Sequence, residues 1–259
     1  MRIALGLEYD GSAFCGWQSQ ASGCAIQDHV QSSLSQLAAE RINVTAAGRT
    51  DAGVHATAQV IHFDTDAGRP DHAWVRGTNT NLHPAVRVLW SHPVTSEFHA
   101  RYSALSRTYR YVLLNHPVEP AILRGRVGWC HRPLDLGLIA ESLQPLIGQH
   151  DFSAFRDAEC QAKSPVRNLL EARVEQAHDT FVFTFRANAF LHHMVRNIVG
   201  AAVYVGSGKK PPSWLAELLA ARNRTLAAPT FAPDGLYLTA VEYDPAFGLP
   251  AFRSWPALA

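Results

Sequence analysis

Ile3, Leu5, Leu7 and Tyr9 alternate with small or polar residues, so the chain opens on a strand that stops at Asp10-Gly11. Ile26, Val30, Leu34 and Leu37 then share one helical face. A short strand over 42–47 leads into Gly48-Arg49-Thr50-Asp51-Ala52-Gly53, whose bracketing glycines predict a loop. The pattern continues with a strand over 59–63, a helix over 74–82 and a strand over 86–90. From about Arg107 a second series begins: a strand over 109–114, a helix over 136–147 ended by Gly148, and a hairpin of 169–174 with 181–185 around His178-Asp179. Helices over 191–205 and 214–221 and a strand over 236–241 complete it. There are too few regular strand–helix–strand units for a doubly wound sheet, so the class is α+β. The similar element order in the two halves permits a structural duplication without requiring one.

At 259 residues with 47% hydrophobic and 17% charged positions, the chain can bury a sizeable core in two halves, divided as 1–105 and 106–259. The net charge of +1 does not announce a nucleic-acid binder. Its distribution is more informative: 101–132 holds six arginines against the single acid Glu119, and 181–214 holds Arg186, Arg196, Lys209 and Lys210 with no acid. Arginine presents a planar fork suited to phosphate and to stacking. Composition alone is equally compatible with codon bias and ordinary solvated arginines. Cys15, Cys24, Cys130 and Cys160 form no CxxC pair, so neither a zinc ribbon nor a disulfide scaffold is expected. With no secretory h-region and no apolar run of membrane-spanning length, the expectation is a soluble, reduced, cytoplasmic protein without a membrane partner.

The densest chemical signal is the loop carrying Asp51, with Arg49 two residues before it and His55 four after. Flanking glycines allow a tight turn and close approach of a substrate. Arg49 beside Asp51 favours the ionised carboxylate, which can serve as nucleophile or base. The competing reading is a turn in which Asp51 bonds its own backbone. His55 reads as a loop-stabilising residue. Among thirteen histidines the best metal candidates are His192-His193 and the Asp51/His55 pair. Adjacent histidines on a helix point in different directions, and no HExxH or Cys/His cluster is present, so no metal is expected.

The segment from Gly48 to Ala56 resembles the signature loop of the bacterial tRNA pseudouridine synthase A family. Further segments resemble that family's motifs in order: Tyr9-Asp10-Gly11 with Phe14, Gly16-Trp17-Gln18 and Gln20; Phe98-His99-Ala100-Arg101 with Arg107-Thr108-Tyr109-Arg110-Tyr111; and Gly148-Gln149-His150-Asp151-Phe152 with Phe155. Phe190-Leu191-His192-His193-Met194-Val195-Arg196-Asn197 and Ala232-Pro233 with Gly235-Leu236-Tyr237-Leu238 complete the series. The departures are small. Ala25-Ile26-Gln27 stands where the family usually has Thr-Val-Gln, and Gln31, Ser32 and Ser33 replace common acidic positions.

The resemblance implies the pseudouridine synthase fold: two α+β domains with mainly antiparallel sheets around a central, positively charged cleft. It implies a homodimer that uses no cofactor, acts on tRNA rather than DNA, and converts uridines at tRNA positions 38 to 40, in the anticodon stem-loop. Asp51 matches the essential carboxylate and Tyr109 the active-site tyrosine, which stacks on the base and offers an oxygen for proton removal. Arg196 matches an arginine thought to pair with the aspartate. Arg49 is the candidate for filling the space left by a flipped base. Leu238, expected from the second domain, matches a pocket-lining residue, and Arg101, Arg107 and Arg110 are candidate tRNA contacts. Two other classes compete: a tRNA-binding module without catalysis, and an Asp/His metal-dependent hydrolase.

Overall fold

The computed structural model describes residues 1–251. Its strands are β1 (Arg2–Tyr9), β2 (Thr45–Ala46), β3 (His55–Asp64), β4 (Val86–Val94), β5 (Ser106–Asn115), β6 (Gly128–Cys130), β7 (Gly148–Asp151), β8 (Val166–Ala177), β9 (Thr180–Ala187) and β10 (Leu236–Glu242). Its helices are α1 (Ile26–Ala38), α2 (Asp71–Asn81), α3 (Leu136–Leu143), α4 (Met194–Gly206) and α5 (Trp214–Ala221). These elements form two units, Met1–Leu105 with the chain from Tyr237 onward, and Ser106–Leu236. The units differ from the expected division at the C-terminal end, because Tyr237 and Leu238 pair in parallel with His55 and Ala56 of β3. Pairing between segments so distant in sequence leaves no local signal. Residues 252–259 of the expected second domain lie outside the described residues.

In the first unit the strand order is β4-β1-β3-β10, with β2 on β3. The β10 pairing with β3 is parallel; β1 runs antiparallel to β3 and β4, and β2 to β3. The alternation in β1 sorts large residues from small ones rather than buried from exposed. Ile3, Leu5 and Leu7 are buried, and so is Ala4, which clusters with Ala47, Val60, Phe98 and Ala100. Phe98 has no exposed surface and meets Phe247 edge-on at 5.1 Å; burying such a ring stabilises the unit by roughly 2–3 kcal/mol. Helix α1 buries Ile26, Val30, Ser33, Leu34 and Ala38 along one face. Ser33, one of the departures from the family pattern, donates to Thr78 O of α2 at 2.7 Å, in a setting where a carboxylate would be costly. His62 is also buried, accepts the Ala100 N–H at 3.1 Å, and is held neutral by burial, which pushes its pKa down to about 4.

In the second unit the order is β5-β9-β8-β7, all antiparallel, with β6 parallel on β5. Phe181, Phe183 and Phe185 recur at strand period and are fully buried. The hairpin turns at His178-Asp179, as the sequence predicts, with His178 at φ 52°. Helix α3 is capped by Asp135, whose carboxylate accepts the Leu138 N–H. Helix α4 is buried almost all round, as befits a helix with so few polar positions. It begins at Met194, not at 191 as the apolar pattern implied. Strands β6 and β7, three and four residues long, fell below any readable periodicity. Mainly antiparallel sheets with packed helices make both units α+β, the class read from the sequence. Among the described residues no helix is long and apolar enough to cross a membrane.

Candidate active site

Asp51 lies on the loop between β2 and β3, and the main chain of that loop is fixed from several directions. The Trp17 N–H donates to Thr50 O at 2.9 Å, Gln59 Nε2 to Gly48 O at 2.7 Å, and the Val54 N–H to Asp51 O at 3.1 Å. The opening motif supplies the close approaches. A Cβ at Gly11 would stand 2.0 Å from Val54 O, and one at Gly16, where φ is +102°, would stand 3.0 Å from Thr50 O. Glycine is therefore required at both positions. Within this frame Asp51 is half-buried and Arg49 is exposed. His55 is buried at the start of β3, where its Nδ1 accepts the Gly11 N–H at 3.0 Å and its ring stacks on Tyr237 at 4.6 Å. That geometry suits the loop-stabilising role expected of it. Leu238 follows Tyr237, pairs with Ala56 and is fully buried. It thus belongs to the same unit as Asp51 and not, as expected, to the other, because Tyr237 and Leu238 pair with His55 and Ala56 of β3.

The segment against the loop carries a crosslink. Cys15 and Cys24 form a disulfide with Cα atoms 5.7 Å apart, while Cys130 and Cys160 are free. A fully reduced chain was the expectation, and the short CxxC spacing used to judge pairing misses two cysteines nine residues apart.

In the second unit Arg107, Tyr109 and Tyr111 alternate along β5 and are all buried. The Tyr109 ring meets Phe190 edge-on at 5.0 Å. Arg107 donates from Nη1 to Asn188 O at 2.8 Å, an anchor just beyond β9. Arg110, on the opposite face of β5, is half-buried. Tyr111 donates to Ala232 O at 2.8 Å, and burial pushes its phenol pKa far up. Arg196, in the first turn of α4, donates from Nε to Phe231 O at 2.8 Å, while the Phe231 N–H returns a bond to Arg196 O. Arg101, in the first unit, lies exposed beside the Tyr102 ring, 5.6 Å from its centroid.

The expectation for His192-His193 needs correction. The two residues precede α4 instead of lying on it, and His193 adopts φ 60°. That left-handed step turns both rings to one side, with centroids 3.9 Å apart. Both Nδ1 atoms face the Asp157 carboxylate, at 3.5 Å from His192 and 2.7 Å from His193. Asn197, a turn further on, is fully buried, donates to Phe155 O and accepts from Arg224 and Thr230. The sequence places Asn197 only as the last residue of the Phe190–Asn197 motif and assigns it no role.

The chain matches the family model described as tRNA pseudouridine synthase over residues 7–103 and 143–244. It is 58% identical to tRNA pseudouridine synthase A of Methylobacillus flagellatus over 250 residues, 96% of each chain. It is 57% identical to the Thiobacillus denitrificans protein of that name over 257 residues, 99% of each chain. Against the Aromatoleum aromaticum protein of that name, identity is 59% over 96% of this chain and 95% of the other. Similarity of this degree, extending through the Asp51 loop, β5 and α4, shows that the chain belongs to the tRNA pseudouridine synthase A family.

Proposed function

We propose that this isomerase converts uridine to pseudouridine in the anticodon stem-loop of tRNA, at tRNA positions 38 to 40, with Asp51 as its essential carboxylate. The supporting observation is the placement of Asp51, half-buried on a loop whose backbone is pinned on both sides of it. A carboxylate so held is pre-positioned for a reacting group. The isomerisation breaks the N1–C1′ bond and forms C5–C1′. The proton leaving C5 is balanced by one gained at N1, so no oxidant, reductant or organic cofactor is consumed. Asp51 either adds to the uracil ring or acts on the ribose, by attack or by proton abstraction. Tyr109 stacks on the base and its phenol oxygen assists proton removal at C5. Arg196 is the cation the resemblance assigns to the same reaction. Arg49, exposed on the Asp51 loop, fills the gap left by the extruded nucleotide. Arg101, Arg107 and Arg110 serve the tRNA, with Arg107, already anchored on Asn188 O, acting through the end of the sheet. By the same resemblance the enzyme works as a cytoplasmic homodimer without a metal.

The test is to incubate the purified protein with unmodified tRNA and map pseudouridine by position. Product at positions 38 to 40, retained after EDTA treatment of the enzyme, is the expected result. Binding of tRNA without product would favour the non-catalytic module, and activity restored only by stoichiometric zinc would favour metal chemistry.

A further inference from the structure

Three buried polar side chains in the first unit have no part in the proposed chemistry. Tyr9 is 4% exposed, Thr50 6% and Gln59 0%. They form one chain of hydrogen bonds. Gln59 Nε2 donates to Gly48 O at 2.7 Å and lies 3.3 Å from Tyr9 Oη, and its Oε1 accepts the Val60 N–H at 3.2 Å. Tyr9 Oη lies 2.9 Å from Thr50 Oγ1. With its oxygen accepting from Gln59, the phenol keeps its own proton for Thr50. Burial pushes the Tyr9 pKa up to about 12, so that proton stays in place throughout the working pH range.

The network meets the loop at Gly48 and Thr50, the two residues on either side of Arg49, and Thr50 is bonded directly to Asp51. An amide, a phenol and a hydroxyl taken from water into a core cost stability unless each is satisfied, and apolar residues would fill the space more cheaply. Together they tie the loop down at two points, Gly48 O and the Thr50 hydroxyl, while Thr50 O is held separately by the Trp17 N–H. We propose that Tyr9, Thr50 and Gln59 are positioning residues for the isomerisation, setting the placement of Asp51 from beneath the loop without contacting tRNA. The proposal rests on the assignment of Asp51 as the essential carboxylate. A displacement near 1 Å of a reacting group costs about 100-fold in rate, so loosening the loop is read in the chemical step.

The experiment compares Thr50→Val, which keeps the shape and removes the hydroxyl, with Thr50→Ser, which keeps the hydroxyl. Tyr9→Phe breaks the chain one link earlier. Ser33→Ala removes a buried hydroxyl of the same unit, bonded to Thr78 O and outside the network. Single-turnover rate, tRNA affinity and Tm are measured for each. Thr50→Val and Tyr9→Phe are expected to slow turnover about 10- to 100-fold with tRNA affinity within about twofold of wild type. Thr50→Ser is expected to stay near the wild-type rate, and Ser33→Ala to lower Tm without slowing turnover. Wild-type turnover by Thr50→Val, equal slowing by Ser33→Ala, or a rate loss matched by lost affinity would overturn the proposal. Inactivity of the wild-type enzyme on tRNA would instead overturn the functional reading beneath it.

Discussion

The Asp51 loop and the segment leading into α4 do similar jobs by different means. Each makes a sharp change of direction just before a regular element, and each presents residues assigned to the chemistry. In the first, the left-handed step falls on Gly53 at φ 79°, where a side chain costs nothing because none is present. In the second it falls on His193 at φ 60°, and a non-glycine residue there is stabilised by its Nδ1 bond to Asp157 at 2.7 Å. The first turn is therefore encoded locally, whereas the second depends on a contact thirty-six residues away. Local encoding leaves the carboxylate to be fixed by surrounding buried groups. Distant encoding makes the turn itself part of the tertiary structure.

The largest effect expected in the first region is that of Asp51→Asn. The change keeps shape and removes charge, so activity should fall by about 1,000-fold or more while tRNA binding persists. Activity within about tenfold of wild type would remove the carboxylate from the mechanism. For the second region, Phe190 packs on Tyr109, and Tyr109→Phe keeps that ring contact while removing the phenol oxygen. Turnover should fall about 100- to 10,000-fold with affinity little changed. Steady-state kinetics in which only KM rises would reassign Tyr109 to binding.

The same difference explains what could be read from sequence. The loop from Gly48 to Gly53, the helix α5 and the β8–β9 turn were legible because glycine, periodicity and turn residues are local signals. The α4 boundary was not, since Leu191 continues the apolar pattern while the backbone at His193 leaves the helical region. The membership of β10 in the first unit was hidden because its partner, β3, is far away in sequence. Asp51 stood out by its setting, and the family resemblance supplied Tyr109 and Arg196. Gln59 reads as one of several polar residues along its strand, and only the bond to Gly48 O reveals what it holds. The Cys15–Cys24 pair likewise depends on the turn between them.

Arg49 sharpens the comparison more modestly. It is exposed, and the loop backbone on both sides of it is pinned independently by Gln59 and Trp17. Extruding a base from a stacked stem leaves a gap, and one already unpaired leaves none. Arg49→Ala should slow conversion of a stem uridine about tenfold more than that of a loop uridine, the equivalent of about 1.4 kcal/mol in the barrier. Equal losses on both substrates, measured as single-turnover rates, would make Arg49 a general phosphate contact.

The smallest expected effect tests whether the second turn depends on its distant partner. Asp157→Asn keeps the size of the side chain but removes the charge facing His192 and His193. The loss should be about 1 kcal/mol, typical of a partly exposed charge-assisted hydrogen bond, and appear as a lowered Tm at pH 7. The sign of its pH dependence follows from the carboxylate. Burial opposes the charged form, but the Glu159 N–H, the His193 bond and the nearby histidines outweigh it and hold the Asp157 pKa below its ordinary value. A carboxyl with a lowered folded pKa contributes stability above its unfolded pKa of about 3.9 and loses it as pH falls through the folded value. The Tm gap between wild type and Asp157→Asn should therefore be full at pH 7 and begin to close below about pH 4. If Asp157→Asn melts like wild type at pH 7, the left-handed turn at His193 is held by the packing of α4 alone, and the contrast between the two regions reduces to the presence of glycine in one of them.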